Sequence, residues 1–354
     1  MRIIRFLLLL TLFLGIGYYF LQENNMDAED AIDKFSKVLE QKKSLLESKE
    51  VPKKRKSISL EGDVFQWIDN PSDKLLETFG EPLRKDLSAY GYTWWVYTDQ
   101  FNQYIQFGVR DDKVVTIFAT GNDLSIEPVK ISESYASVND QFSFNKMVNY
   151  SKGLSSYTFH LNEEDLKMRP LAKITDDIFI QFYFDTFTKE LSSIRVIKAE
   201  TLLKHRPYEI EYRGDLPESP DLTDKEWKKV ESGMEQQIFD ITNVMRNQYE
   251  KDPVDWASGA REVAFLHSKD MADNNYFSHY ALNGEGLKER LAEKDIDYRT
   301  AGENIAAQYP DAAAAMEGWL NSEGHREALL NNEYTHLGVG VYRFYYTQNF
   351  LSKL

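Results

Sequence analysis

Three short strings near the C-terminus carry residue types that do chemistry: Phe277-Ser278-His279, Gly302-Glu303-Asn304 and Gly324-His325-Arg326. Four of the six histidines, His267, His279, His325 and His336, fall between positions 267 and 336, a span that fits one compact domain. Two neutral imidazoles and a carboxylate suit Zn²⁺ with an open position for water. A water held there can be acidified for hydrolysis. No His-x-x-x-His helix preorganises these side chains, so spacing alone does not show that they converge. A different chemistry would use Ser322 and His325, one turn apart, with Glu303 orienting the imidazole. No nucleophile-elbow motif surrounds Ser322. The plainest reading of the trio is a polar network that fixes loops under a sheet. His267 shares an apolar helix face with Ala260, Ala264 and Met271 and reads as a hydrogen-bonded core residue. His336 precedes a strand and reads as exposed. Asn243 and Asn304 suit backbone bonds in loops or caps, and Arg246 and Arg290 are placed to pair with acids such as Asp270 or Glu303.

The elements that must position these residues are legible in the apolar periodicity. Ile238, Ile241, Val244 and Met245 mark one helix, and Ala312–Leu320 and Arg326–Leu330 mark two more. Leu337–Tyr342 and Tyr345–Leu351 alternate as a terminal strand pair. Helices on a small sheet make this region an α/β sandwich. Upstream, Leu75, Leu76 and Phe79 before Gly80-Glu81-Pro82 predict a short amphipathic helix. Tyr92–Tyr97, Tyr104–Val109 and Val114–Ala119 predict strands, with a tight turn at Asp111-Asp112-Lys113. The pattern of Tyr104–Val109 and Val114–Ile117 recurs at Phe179–Phe184 and Leu191–Val196, so an α+β domain with internal duplication is expected. The aromatic run Tyr90–Tyr97 is better read as sheet core than as a binding platform.

Composition bounds the whole. A chain of 354 residues suggests two domains. The formal charge is −15, which argues against a nucleic-acid partner because backbone recognition needs a basic face. There is no cysteine, so disulfides, thiolate metal sites and cysteine nucleophiles are excluded. At the N-terminus Arg2 and Arg5 flank an apolar run to Leu21, near the roughly 20 residues a membrane helix needs. Tyr18, Tyr19 and Phe20 supply an aromatic belt, and Glu23, Asp27, Glu29 and Asp30 follow, so the rest of the chain is expected outside the cytoplasm. The organisation read from this is an uncleaved signal anchor (1–25), with a cleaved signal peptide and a secreted protein as the alternative, a charged stalk (26–57), an α+β domain (58–204), a linker with Pro207, Pro217 and Pro220 (205–230), and a C-terminal domain (231–354).

The strings Ile241-Thr-Asn-Val-Met-Arg246, Ala264-Phe-Leu-His-Ser-Lys-Asp-Met271, Tyr276-Phe-Ser-His279, Gly302-Glu-Asn-Ile-Ala306, Trp319-Leu-Asn-Ser-Glu-Gly-His-Arg326 and Thr335-His-Leu-Gly-Val-Gly340 resemble the CAP superfamily. This is the cysteine-rich secretory, antigen 5 and pathogenesis-related group, here in its bacterial form, and the likeness covers about residues 235–354. Phe79-Gly-Glu-Pro82 and Tyr90-Gly-Tyr-Thr-Trp-Trp95 resemble the domain that accompanies CAP domains in spore-forming Gram-positive bacteria. The resemblance implies an α-β-α sandwich with a cleft of two histidines and two acids. His279, Glu303 and His325 match three of them. Ser322 stands where the second acid is expected, three residues after Trp319. Glu323 is adjacent, but one helical step rotates a side chain by about 100°. The implied ligand cleft is therefore His279, Glu303, Ser322, Glu323 and His325, with His279 and His325 as Zn²⁺ ligands. The implied setting is the cell envelope or spore, with the membrane and an envelope or peptide ligand as partners. CAP domains share no single reaction, so catalysis is not implied. The competing reading is a metal-dependent hydrolase acting on wall peptide or secreted polypeptide. A third makes both domains interaction modules without a small ligand.

Overall fold

The computed structural model describes residue 60 and residues 62–353. The expected signal anchor and stalk lie outside the described residues. No helix among the described residues is long and apolar enough to cross a membrane.

The chain enters through α1 (Ser72–Phe79), which ends where Gly80 adopts φ +74, a left-handed conformation glycine takes without Cβ strain. Strands β1 (Arg84–Leu87), β2 (Thr93–Thr98), β3 (Tyr104–Arg110) and β4 (Lys113–Thr120) follow as a meander. After α2 (Tyr135–Phe142) come a hairpin, β5 (Met147–Lys152) and β6 (Ser155–His160), then α3 (Glu163–Met168). A second meander contains β7 (Leu171–Lys173), β8 (Ile178–Asp185) and β9 (Glu190–Lys198), followed by α4 (Ala199–His205). The meanders join as one seven-stranded antiparallel sheet, ordered β1-β2-β3-β4-β9-β8-β7. The β3–β4 and β8–β9 hairpins meet at its centre. Each has a register shift at the same place in the repeated pattern, Gly108/Val109 in one and Tyr183/Phe184 in the other. Each also has a tyrosine hydroxyl donating to a glutamine two residues away at 2.6 Å: Tyr104 to Gln106, and Tyr183 to Gln181.

The stretch expected to be a linker contains two regular elements. β10 (Glu209–Arg213) pairs with β6, and α5 (Asp224–Gln248) starts at a capping box in which Thr223 and Glu226 satisfy each other's backbone N–H groups. Pro207 falls in the break before β10, and Pro217 and Pro220 in the segment between β10 and α5.

The C-terminal sheet has the order β11-β13-β14-β12, with β11 (Asp255–Trp256), β12 (Thr300–Ala307), β13 (His336–Tyr342) and β14 (Tyr345–Ser352). One face receives α6 (Ser258–Asp273). The approach is so close that a Cβ on Gly338 or Gly340 would collide with the α6 backbone at Ala260–Arg261 and Ala264–Phe265. Leu337, Val339 and Val341 point to the other face, where they pack with α5 and α8 (Ala312–Leu320). The result is a helix–sheet–helix sandwich, with α7 (Leu287–Ala292) and α9 (Glu323–Leu329) at its rim. The α9 helix starts three residues earlier than its apolar pattern suggests, because Glu323 and Gly324 form its polar first turn.

The two sheets share a core. Tyr90, Tyr92, Trp94 and Phe118 of the first pack in one buried cluster with Val230, Met234, Ile241, Met316 and Trp319 of the second region.

Candidate ligand-binding cleft

The site is built on the edge strand β12. Glu303 lies there with its side chain only 4% exposed, and both carboxylate oxygens are engaged. Oε1 bonds His279 Nδ1 at 2.9 Å, and Oε2 accepts from Arg290 Nη2 at 2.5 Å. Asn349, with its amide nitrogen turned to the carboxylate, adds a donor to Oε2 at 3.2 Å. Arg290, on α7, also donates to the His279 carbonyl at 3.0 Å. The loop bearing His279 is thus held by its ring and its backbone together.

His267 holds the same loop one residue earlier. It is buried, and its Nε2–H donates to the Ser278 carbonyl at 3.0 Å. Burial lowers its pKa, so the ring stays neutral.

The second histidine arrives from α9. The His325 and His279 ring centres are 6.4 Å apart. Burial, then the neighbouring His279, lowers the pKa of His325 and keeps its ring neutral. Asn304 Nδ2 donates to the His325 carbonyl at 3.0 Å and ties α9 to β12. Ser322 and His325 line a cavity of about 490 Å³ whose walls are largely apolar: Phe277, Ile305, Tyr309, Trp319 and Tyr345. Trp319 is fixed by its Nε1–H bond to the Ile305 carbonyl at 3.0 Å.

The structure thus brings His279, Glu303 and His325 close together, and of the three His325 alone lines the cavity of about 490 Å³. Other expectations need correction. Glu303 bonds His279 and not His325, so Ser322, His325 and Glu303 do not form a triad. Glu323 is exposed at the start of α9 and is not part of the cavity lining, consistent with the rotation of one helical step. Arg246 pairs with no acid at the site. It donates to the carbonyls of Asp252, Leu329 and Asn331 at 2.8, 2.8 and 3.0 Å, stapling the loop that precedes β13.

The residues present do not fit a closed zinc site. Among the described residues no group of three or more His, Cys, Asp or Glu is placed to hold a metal ion. With Glu303 engaged on both oxygens, the free donors are two imidazoles, short of the three or four protein ligands such sites use.

Sequence reasoning missed what supports α9 from outside. Asp185, at the tip of β8, is 1% exposed and accepts from Arg326 Nη2 at 2.8 Å and Tyr249 Oη at 2.5 Å. The Arg326 guanidinium lies 4.8 Å from both the Phe187 and Tyr249 ring centres. Asn321 accepts from Thr186 N at 2.8 Å and donates to the Phe184 carbonyl at 3.0 Å. The β8–β9 hairpin of the first sheet thus grips the turn that carries Ser322 and His325. The acid-aromatic string Asp185-Thr-Phe187 was the only available signal, and it looks like any hairpin turn.

Comparison with known proteins agrees with this architecture. Residues 68–208 match the model of the CAP-associated N-terminal region, and residues 239–352 match that of the cysteine-rich secretory protein family. A Bacillus subtilis (strain 168) protein named uncharacterized membrane protein YlbC is 48% identical over 82% of this chain and 84% of its own length. The crystal structure of an extracellular protein containing an SCP domain from Bacillus anthracis str. Ames superposes with a TM-score of 0.79 at 43% identity, covering 86% of this chain and 100% of that one. A cysteine-rich secretory protein from Staphylococcus aureus subsp. aureus Mu50 superposes with a TM-score of 0.73 at 26% identity, covering 83% and 96%. Motifs, fold and relatives together place the chain in the CAP family of cysteine-rich secretory proteins, with a CAP-associated region ahead of the CAP domain.

Proposed function

We propose that this is a membrane-anchored, extracytoplasmic CAP-domain protein of the cell envelope whose cleft binds a ligand with an apolar body and a hydrogen-bonding end. The observation that carries the proposal is the 2.9 Å bond between Glu303 Oε1 and His279 Nδ1. It engages Nδ1 of His279 with the carboxylate and leaves Nε2 as the nitrogen available to a ligand, beside the neutral His325. Two such nitrogens suit a ligand that presents N–H or O–H groups, or a Zn²⁺ ion whose other ligands come from the bound molecule and water. The apolar walls of the cavity would take the rest of the ligand. The anchor rests on the N-terminal apolar run. The names of the B. subtilis and B. anthracis relatives, a membrane protein and an extracellular protein, support that setting. The alternative, a metal-dependent hydrolase, would need a general base other than Glu303, whose two oxygens are both engaged.

Zinc titration by calorimetry of the full-length protein in neutral detergent tests the site. Binding is expected to weaken as pH falls, because protons compete with the ion for the imidazole nitrogens. His279→Ala with His325→Ala should abolish it at an unchanged melting midpoint. Undiminished binding in that double variant would sink the site, and its unfolding would favour a purely structural network. No turnover is expected on a peptide and ester panel.

A further inference from the structure

The first turns of α5 send their charges in two directions. Lys225, Lys228 and Lys229 share a stripe with Ser232, Gly233 and Gln236, at helical spacing, and this stripe faces β1 across a groove of about 800 Å³. Lys85 and Arg84 line the opposite wall. The acids of the same turns are held away from it. Glu226 bonds the Thr223 cap at 2.9 Å, Asp224 pairs with Arg343 at 2.8 Å, Glu231 accepts from Arg343 N at 3.0 Å, and Glu235 takes Arg261 at 2.8 Å. The acid within the groove, Asp86, is occupied by Arg84 Nε at 3.0 Å and Gln237 Nε2 at 3.1 Å. The three lysines of α5 are exposed and form no salt bridge among the described residues. The Lys85 ammonium turns away from α5: it lies 3.9 Å over the Trp95 ring and 3.8 Å from Glu81 Oε2. Gly233 makes the groove possible: a Cβ there would come 2.8 Å from Asp86 Cβ and push β1 away from the helix.

Three exposed ammonium groups along one concavity, on a chain of formal charge −15, form a local positive field that calls for a counter-charge. We propose that the groove between β1 and the start of α5 binds a linear phosphodiester polyanion, with Lys225, Lys228 and Lys229 each taking a phosphate. The concave shape admits a single chain, whereas a bilayer needs a flat or protruding basic face. No aromatic side chain lines the groove, so nucleic-acid bases find no stacking platform. The occupant is thus a phosphate polymer without bases. This site is separate from the His279/His325 cleft, and neither reading depends on the other.

The test is fluorescence anisotropy of labelled poly(glycerol phosphate) with the full-length protein in neutral detergent, at 50 and 200 mM salt. Three phosphate contacts imply a loss of affinity of about 20-fold over that range, if counterion release is about 0.7 per contact as for single strands. In the variant K225Q/K228Q/K229Q the salt response should be lost. Lys225→Gln alone should give about sevenfold, which keeps the test decisive if the triple variant folds poorly. The cleft variant H279A/H325A should bind the polymer as the wild type does. A triple variant with undiminished affinity and salt response would overturn the proposal. So would displacement of the polymer by phosphatidylglycerol-doped micelles or by oligo(dT) at equal phosphate concentration, which would assign the groove to a membrane surface or to nucleic acid.

Discussion

Glu303 performs two tasks with one carboxylate: it neutralises Arg290 and it orients His279. Replacing it by Gln keeps the shape and the hydrogen bond to the ring but leaves the guanidinium, 10% exposed, without its counter-charge. The expected cost is about 3 kcal/mol, read from urea melts at neutral pH, since removing one partner of a buried pair strands the other. A loss below about 0.5 kcal/mol, the usual range of a surface change, would mean that solvent already screens Arg290. Most of this site was legible in sequence because its strings are short and local in character: an aromatic-Ser-His, a Gly-Glu-Asn, a Gly-His-Arg. Which imidazole the carboxylate would choose was not legible. That choice depends on the loop after α6, which His267 and Arg290 fix by bonds to the carbonyls of Ser278 and His279, and backbone acceptors leave no mark on composition. The role of Arg246 was hidden for the same reason, as its partners are carbonyls.

Among the elements, the short helix α9 depends most on others. Three things hold it: Asn304 from β12, Asn321 bonded to the β8–β9 hairpin, and Arg326 clamped between Asp185 and two aromatic rings. Asp185→Ala should therefore destabilise the protein by about 3 kcal/mol, the usual consequence of leaving a buried cation unpaired. It should also shift the ring resonances of His325 in proton NMR while those of His279 stay in place. A stability loss with His325 unmoved would show that the hairpin supports the fold without positioning the cleft. Strands and helices with buried faces were readable from periodicity, as with β3, β4, β8, β9, α5, α8 and the β13–β14 pair. The β5–β6 hairpin and β10 were not read: Val148, Tyr150, Tyr157 and Phe159 alternate with polar residues and are buried, but each strand of the hairpin offers only two buried apolar positions and β10 offers none. The symmetric register shifts of β3 and β8 follow from a repeated pattern that was visible, but a bulge is a backbone event with no residue signature of its own.

At the scale of the whole molecule, buried titratable groups link the two sheets. Glu317 on α8 accepts from Ser193 Oγ at 2.6 Å and Ser192 Oγ at 3.1 Å on β9, and burial raises its pKa from 4.5 to about 7 despite those bonds. Between those values the folded state holds a proton that the unfolded state releases, so this group's contribution to stability falls as pH rises through that window and stays low above it. His205 acts in the opposite sense. Burial, with Arg195 beside it, lowers its pKa from 6.5 to about 3, so its contribution is full above 6.5 and is lost as pH falls. Only a difference measurement separates the two. Glu317→Gln should be more stable than the wild type by about 3 kcal/mol at pH 8, with the gap closing by pH 5, in paired urea melts. A gap independent of pH would place the ionisation elsewhere. The same sheet has a further consequence at its margins. Its outer strands are short, β1 with four residues and β7 with three, and β1 displays Arg84, Lys85 and Asp86 in succession. An open strand edge is a template on which another chain can crystallise, and closely spaced charges on a short ledge spoil that template. Lys85, exposed on that ledge, therefore also disfavours sheet-to-sheet pairing between copies of the chain.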